Sequence, residues 1–190
     1  LLGALSCVSF ASLGIAFSLH DRNELAQWCY CLTIACVPYI LLNLGIPWGR
    51  KFKVFMGDAG STLIGFTVIW LIILATQGPA AILHPVTALW IIAVPLMDMV
   101  RVMISRVRRG DSPFKPDREH LHHILLKYGF KHSVALSVVL VIAISFSALG
   151  IYADFENYNQ LGVLILFVIC FSVFVLFINK LAKLASLKQN

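Results

Sequence analysis

Apolar residues run along this chain in six long stretches separated by short polar segments: Leu1–Leu19, Leu25–Leu44, Ser61–Thr76, Val86–Ser105, Ser133–Ala153 and Leu161–Asn179. Each is near the ~20 residues that a helix needs to cross a hydrocarbon layer of about 30 Å. None alternates with the period of two expected of a transmembrane strand. The pattern predicts an all-α, polytopic membrane protein of about six transmembrane helices, a single membrane domain over residues 1–190. One segment has a different rhythm. Leu121, Ile124, Leu125 and Tyr128 recur at i, i+3, i+4 and i+7 after a helix-start signal at Pro116 and Asp117, which predicts a short amphipathic helix on the membrane surface.

Composition agrees: 59% of residues are hydrophobic, 13% are charged and the mean hydropathy is +0.87, values that exclude an ordinary soluble domain. Charge adds orientation. Arg50, Lys51 and Lys53 follow the second stretch, Arg106, Arg108, Arg109, Lys115, Arg118, Lys127 and Lys131 follow the fourth, and Lys180, Lys183 and Lys188 end the chain. The alternate loops, Asp21–Glu24, Gly78–Pro85 and Asp154–Gln160, hold Arg22 as their one Lys or Arg. Cytoplasmic loops retain positive charge, so segments of about 45–60 and 106–132 and both chain ends are expected in the cytoplasm. The net charge of +6 thus reports topology and attraction to anionic membrane lipids, and no nucleic-acid partner is expected. Cys7, Cys29, Cys31, Cys36 and Cys170 lie inside apolar stretches without a C-x-x-C pair and read as packing residues.

The ordered polar residues lie in the two basic loops. In the first, Met56-Gly57-Asp58-Ala59-Gly60-Ser61 leads into the third stretch. Glycines at a helix start let backbone N–H groups approach an anion, and an aspartate there is a hard oxygen ligand of the kind Mg²⁺ shares with substrate phosphates. A helix-capping Asp or Ser is the alternative. The second loop holds three of the six histidines, His120, His122 and His123. On a regular helix His120, His123 and Lys127 share a face suited to a phosphate-rich ligand, and His122 points to the other flank. A solvated interfacial helix is the alternative. Asp98 and Arg101, at i, i+3 in the fourth stretch, can form a salt bridge, although charge inside a membrane is itself a functional candidate. His20, His84 and His132, at the ends of stretches, have no expected role.

Phe55-Met56-Gly57-Asp58-Ala59-Gly60-Ser61 and His120-Leu121-His122-His123 together resemble two motifs of the polyprenyl-phosphate N-acetylhexosamine-1-phosphate transferases. The likeness extends to Pro85-Val86-Thr87-Ala88-Leu89-Trp90, Pro95-Leu96-Met97-Asp98-Met99 and Ser112-Pro113-Phe114. It implies a bacterial inner-membrane enzyme that moves N-acetylglucosamine 1-phosphate from UDP-N-acetylglucosamine to undecaprenyl phosphate, releasing UMP, to begin cell-surface polysaccharide synthesis. Mg²⁺ or Mn²⁺ is the implied cofactor, and a homodimer is left open. By the same resemblance Asp58 is the metal-associated catalytic aspartate, His120 and His123 are catalytic, and His122, Arg106, Lys53 and Asn43 contact substrate. The family's paired aspartates and Asp-Gly-x-Asp-Gly segment have no equivalent here; Leu1 falls just after that second motif, and the chain reads as the C-terminal part of a longer protein. Two other readings compete: a transporter of ions or organic anions, and a catalytically incomplete membrane scaffold.

Overall fold

A computed structural model describes residues 1–46, 49, 51, 54, 56–79, 81–113 and 120–187. Among these there are eight helices and no strand: α1 (Leu2–Leu19), α2 (Asn23–Leu44), α3 (Gly57–Thr76), α4 (Pro85–Ile91), α5 (Ala93–Arg108), α6 (Leu121–Tyr128), α7 (His132–Phe155) and α8 (Gln160–Leu187). Five are long and apolar enough to cross a membrane, or six spans if α4 and α5 count as one. The chain is a multi-pass, all-helical membrane protein.

The fourth stretch corrects the sequence expectation. In place of one continuous helix over Val86–Ser105, α4 and α5 meet at 81° across Ile92. Pro95 accounts for the break, because it has no N–H for the Ile91 carbonyl four residues back and its ring crowds that carbonyl. The largest other shifts are at α3, which begins at Gly57 rather than Ser61, and at α8, which continues past Asn179 to Leu187.

Helix α1 is the most enclosed span. Phe10, Leu13 and Phe17 on it pack with Cys29 of α2 and with Leu71 and Ala75 of α3. Its approach to α2 depends on a missing side chain, since a Cβ at Gly14 would lie 2.7 Å from the Tyr30 ring. Ser6 and Ser9 return their hydroxyls to the carbonyls of Leu2 and Leu5, so these two hydroxyls are satisfied within the span. A second core joins α4, α5, α6, α7 and α8 around Trp90, Met97, Leu125, Val139 and Phe167. Trp90 meets Phe146 and Phe167 edge-on, with centroids 5.7 and 5.4 Å away. A Cβ at Gly150 would fall 2.3 Å from that of Trp90, so this crossing of α4 and α7 accepts only glycine.

Two buried carboxylates secure opposite ends of the bundle. At the far end of α7, Asp154 Oδ1 accepts from the His84 N–H at 3.0 Å, from His84 Nδ1 at 2.9 Å and from the Thr87 hydroxyl at 2.6 Å. This joins the cation-poor loops before α4 and after α7, and it gives His84 a role that the sequence did not suggest. The other carboxylate, Asp98, belongs to the opposite end, where α2 finishes and α3, α6 and α7 begin. With a rise of 1.5 Å per residue, the two ends of α7 are about 36 Å apart. The structure thus gathers the cation-poor loops at one end and both motif-bearing segments at the other, as the charge pattern requires.

Candidate functional site

The first motif is set up by backbone geometry on either side of its loop. Gly45 closes α2 in the left-handed conformation, with φ 82°, and Ile46 N–H returns to Leu41 O at 2.9 Å. Asn43, on the last turn of α2, donates from Nδ2 to Val54 O at 3.0 Å and so ties the loop to the helix that precedes it. Gly57 enters α3 with φ 65°, a value that a residue with a Cβ adopts only with strain. The cap position is Met56, and no side chain caps the helix there. Asp58 therefore stands inside the first turn and is not the cap, which removes the capping alternative for it. Its residue is exposed, and among the described residues its carboxylate makes no hydrogen bond or ion pair. Ser61 instead bonds the Asp58 carbonyl at 2.9 Å. Lys53 lies outside the described residues.

The second motif differs from the helical-wheel expectation. Helix α6 starts at Leu121 with His120 as its cap, and Pro116 and Asp117, the expected start, lie outside the described residues. The stripe of Leu121, Ile124 and Leu125 is buried in the second core with Phe174 and Ile178 of α8. The helix is therefore docked into the bundle. Because His120 leaves helical geometry, with φ −62° and ψ 150°, its ring swings beside that of His122, stacked at a centroid distance of 6.4 Å. The His122 and His123 rings are 3.9 Å apart. The three imidazoles form a row with His122 in the middle, and not a face that excludes it.

A cavity of about 180 Å³ lies between the end of α2, helix α6 and the start of α7, beside Leu1. Asn43, His122 and His132 supply its polar wall, and Leu44, Leu126 and Leu136 part of its apolar one. Burial, aided by the positive potentials of His123 and His120, holds His122 well below the usual imidazole range. This imidazole is neutral at physiological pH, and its buried Nδ1 has no hydrogen-bond partner among the described residues. His132 had no expected role; its only sequence signal is its position at the start of a span.

Asp98 links this site to α5. Arg101 Nη2 donates to Asp98 Oδ1 at 3.0 Å, the salt bridge that the i, i+3 spacing predicts. The same carboxylate also accepts from His120 Nδ1 at 3.0 Å and from the Leu121 N–H at 2.9 Å. A transporter would need these charges along a path, whereas here they close on one another and on α6. Arg106, on the last turn of α5, is buried and donates from Nη1 to the Pro113 carbonyl across the following turn.

Among the described residues no three His, Cys, Asp or Glu side chains converge on a cation position. A closed cage of the zinc type would require such a set. An exposed carboxylate at a helix start fits the other mode, in which Mg²⁺ takes one or two protein carboxylates and completes its shell with phosphate oxygens and water.

Residues 1–76 match the sequence model of glycosyl transferase family 4. The chain is 47% identical over 186 residues, 97% of its length and 50% of the relative's, to the undecaprenyl-phosphate α-N-acetylglucosaminyl 1-phosphate transferase of Escherichia coli. The proteins of the same name from Haemophilus influenzae and Yersinia pestis are 47% and 51% identical, covering 92% and 81% of this chain and 49% and 42% of their own lengths. The chain spans about half the length of the curated relatives it matches. No solved structure matches.

Proposed function

Because this chain belongs to glycosyl transferase family 4, we propose that its protein transfers N-acetylglucosamine 1-phosphate from UDP-N-acetylglucosamine to undecaprenyl phosphate and releases UMP. The observation that carries this reading is the similarity along 97% of the chain to transferases so named, with both motifs at one end of the bundle. The enzyme sits in the bacterial inner membrane with that end in the cytoplasm, where a nucleotide sugar is available, and the reaction begins a cell-surface polysaccharide.

In the reaction an oxygen of the lipid phosphate attacks the β-phosphorus of the UDP-sugar. The bond from that phosphorus to the bridging oxygen breaks, and its electron pair leaves with UMP. The nucleophile is ionised at neutral pH, so the protein's task is to bring two anions together and spread the developing charge. His120 and His123 address the diphosphate oxygens. Arg106 adds a fixed guanidinium from the end of α5, and Asn43, Lys53 and His122 hold the nucleotide side of the substrate. Asp58 would hold Mg²⁺ or Mn²⁺, which when bound neutralises charge on the diphosphate.

The test is UMP release by the natural gene product in membrane vesicles. UMP should form from UDP-N-acetylglucosamine only when undecaprenyl phosphate is supplied, and release that ignores the lipid would reject the reading. Orientation is tested separately by single cysteines introduced into intact cells. A cysteine at Asn157 should react with an impermeant maleimide and one at Gly110 should not; the reverse pattern would place the motifs outside the cytoplasm.

A further inference from the structure

Among the described residues Asp98 is the one buried acid at the motif-bearing end of the bundle, and the mechanism above does not use it. Its two oxygens divide their partners. Oδ1 takes the Arg101 guanidinium and the Leu121 N–H, and Oδ2 takes His120 Nδ1. Two consecutive residues of the histidine motif therefore rest on one carboxylate, one through its backbone and one through its ring. The backbone contact satisfies a donor that the first turn of α6 leaves without an intrahelical partner, at a helix whose own cap residue supplies no side-chain bond. The ring contact decides chemistry. A carboxylate that receives Nδ1–H selects that tautomer and fixes the plane of the imidazole. Nε2 then becomes the nitrogen directed away from the anchor, an acceptor in the neutral ring and a donor once the ring is protonated.

We propose that Asp98 is the positioning residue of the transfer site, holding His120 as its Nδ1–H tautomer so that Nε2 addresses the phosphates, while Arg101 keeps the carboxylate oriented. The division of labour is the one by which a buried acid orients a catalytic histidine elsewhere, built here between a membrane helix and a docked eight-residue helix. Asp98 and Arg101 have a purely structural alternative, mutual neutralisation within α5. That alternative requires neither the His120 contact nor the Leu121 contact. The inference rests on the proposed transfer reaction for its kinetic consequence, but the tautomer itself is independent of that reaction.

The experiment is a double-mutant cycle in the natural gene product, with ¹⁵N-histidine spectra recorded on the same purified samples. Asp98→Ala strips the carboxylate and leaves Arg101 buried without it; Asp98→Asn, which keeps one acceptor oxygen, is run beside it as the variant more certain to fold. Expected for Asp98→Asn is a fall in kcat of about three- to tenfold with KM for UDP-N-acetylglucosamine within about twofold, and for Asp98→Ala a larger fall in kcat. In a His120→Ala background either change should cost less than about twofold more, because its effect passes through the missing ring. The His120 signal, assigned by its loss in His120→Ala, should report Nδ1–H in the wild type and Nε2–H in Asp98→Ala, or a mixture in Asp98→Asn if Asp98→Ala does not accumulate. Fully additive kinetics, or a His120 tautomer unchanged in both variants, would overturn the proposal. A wild-type protein that releases no UMP while the tautomer depends on Asp98 would reject the transferase reading and leave the anchoring intact.

Discussion

Asp58→Asn is expected to reduce UMP release by the natural gene product at least about a hundredfold while the protein still accumulates in the membrane. The change removes a charge from the start of α3 with almost no change in volume. At an exposed helix start an acid contributes ~0.3–1 kcal/mol through the helix dipole, too little to explain such a loss. Capping offers no further explanation, since Met56 occupies the cap and Asp58 lies inside the first turn. What remains is the carboxylate's direct work on a cation-diphosphate complex, where one or two protein oxygens are all that Mg²⁺ takes. The measurement is turnover at several Mg²⁺ concentrations, with accumulation followed by immunoblot. Near-normal turnover at all of them would reduce Asp58 to a favourable charge on a helix end.

The histidine motif carries the second large effect. His120→Ala and His123→Ala should each lower kcat/KM by more than about tenfold, because each deletes a group that meets charge developing on the phosphates. Arg106→Ala belongs with them. Arg106→Lys should restore only part of the activity, since an ammonium cannot hold the Pro113 carbonyl and a phosphate with the geometry of a guanidinium. The measurement is steady-state turnover of purified variants whose thermal unfolding matches the wild type. Wild-type kinetics in both histidine variants would make α6 a structural helix, leaving the site with Asp58 and the loop that presents it.

Much of the fold was legible in the chain because the physics behind it is local. A backbone in hydrocarbon must satisfy its own hydrogen bonds, so a run such as Ser133–Ala153 becomes a helix whatever its neighbours do. The break in the fourth span was less visible: Trp90 to Leu96 is apolar on both sides of Ile92, and a hydropathy pattern passes over it. Pro95 was the available signal, and its meaning depended on where α4 packed. The amphipathic period of α6 was also legible, but its burial against α8 was not, because a stripe of leucines suits a membrane surface and a protein groove equally well.

The candidate site divides in the same way. Sequence by itself determined the residue types, the order of the two motifs and the end of the bundle to which the charge pattern assigns them, since each depends on composition within one short segment. Tertiary structure decided which groups meet. Asn43, His122 and His132 share a cavity although 89 positions separate the first from the last. Asp98, readable along the chain only as half of a salt bridge with Arg101, reaches 22 residues ahead to His120 and 23 to Leu121. The physical reason is that a carboxylate buried near the membrane must find donors wherever the packing brings them, and neither pattern nor spacing along the chain specifies which helix will supply them.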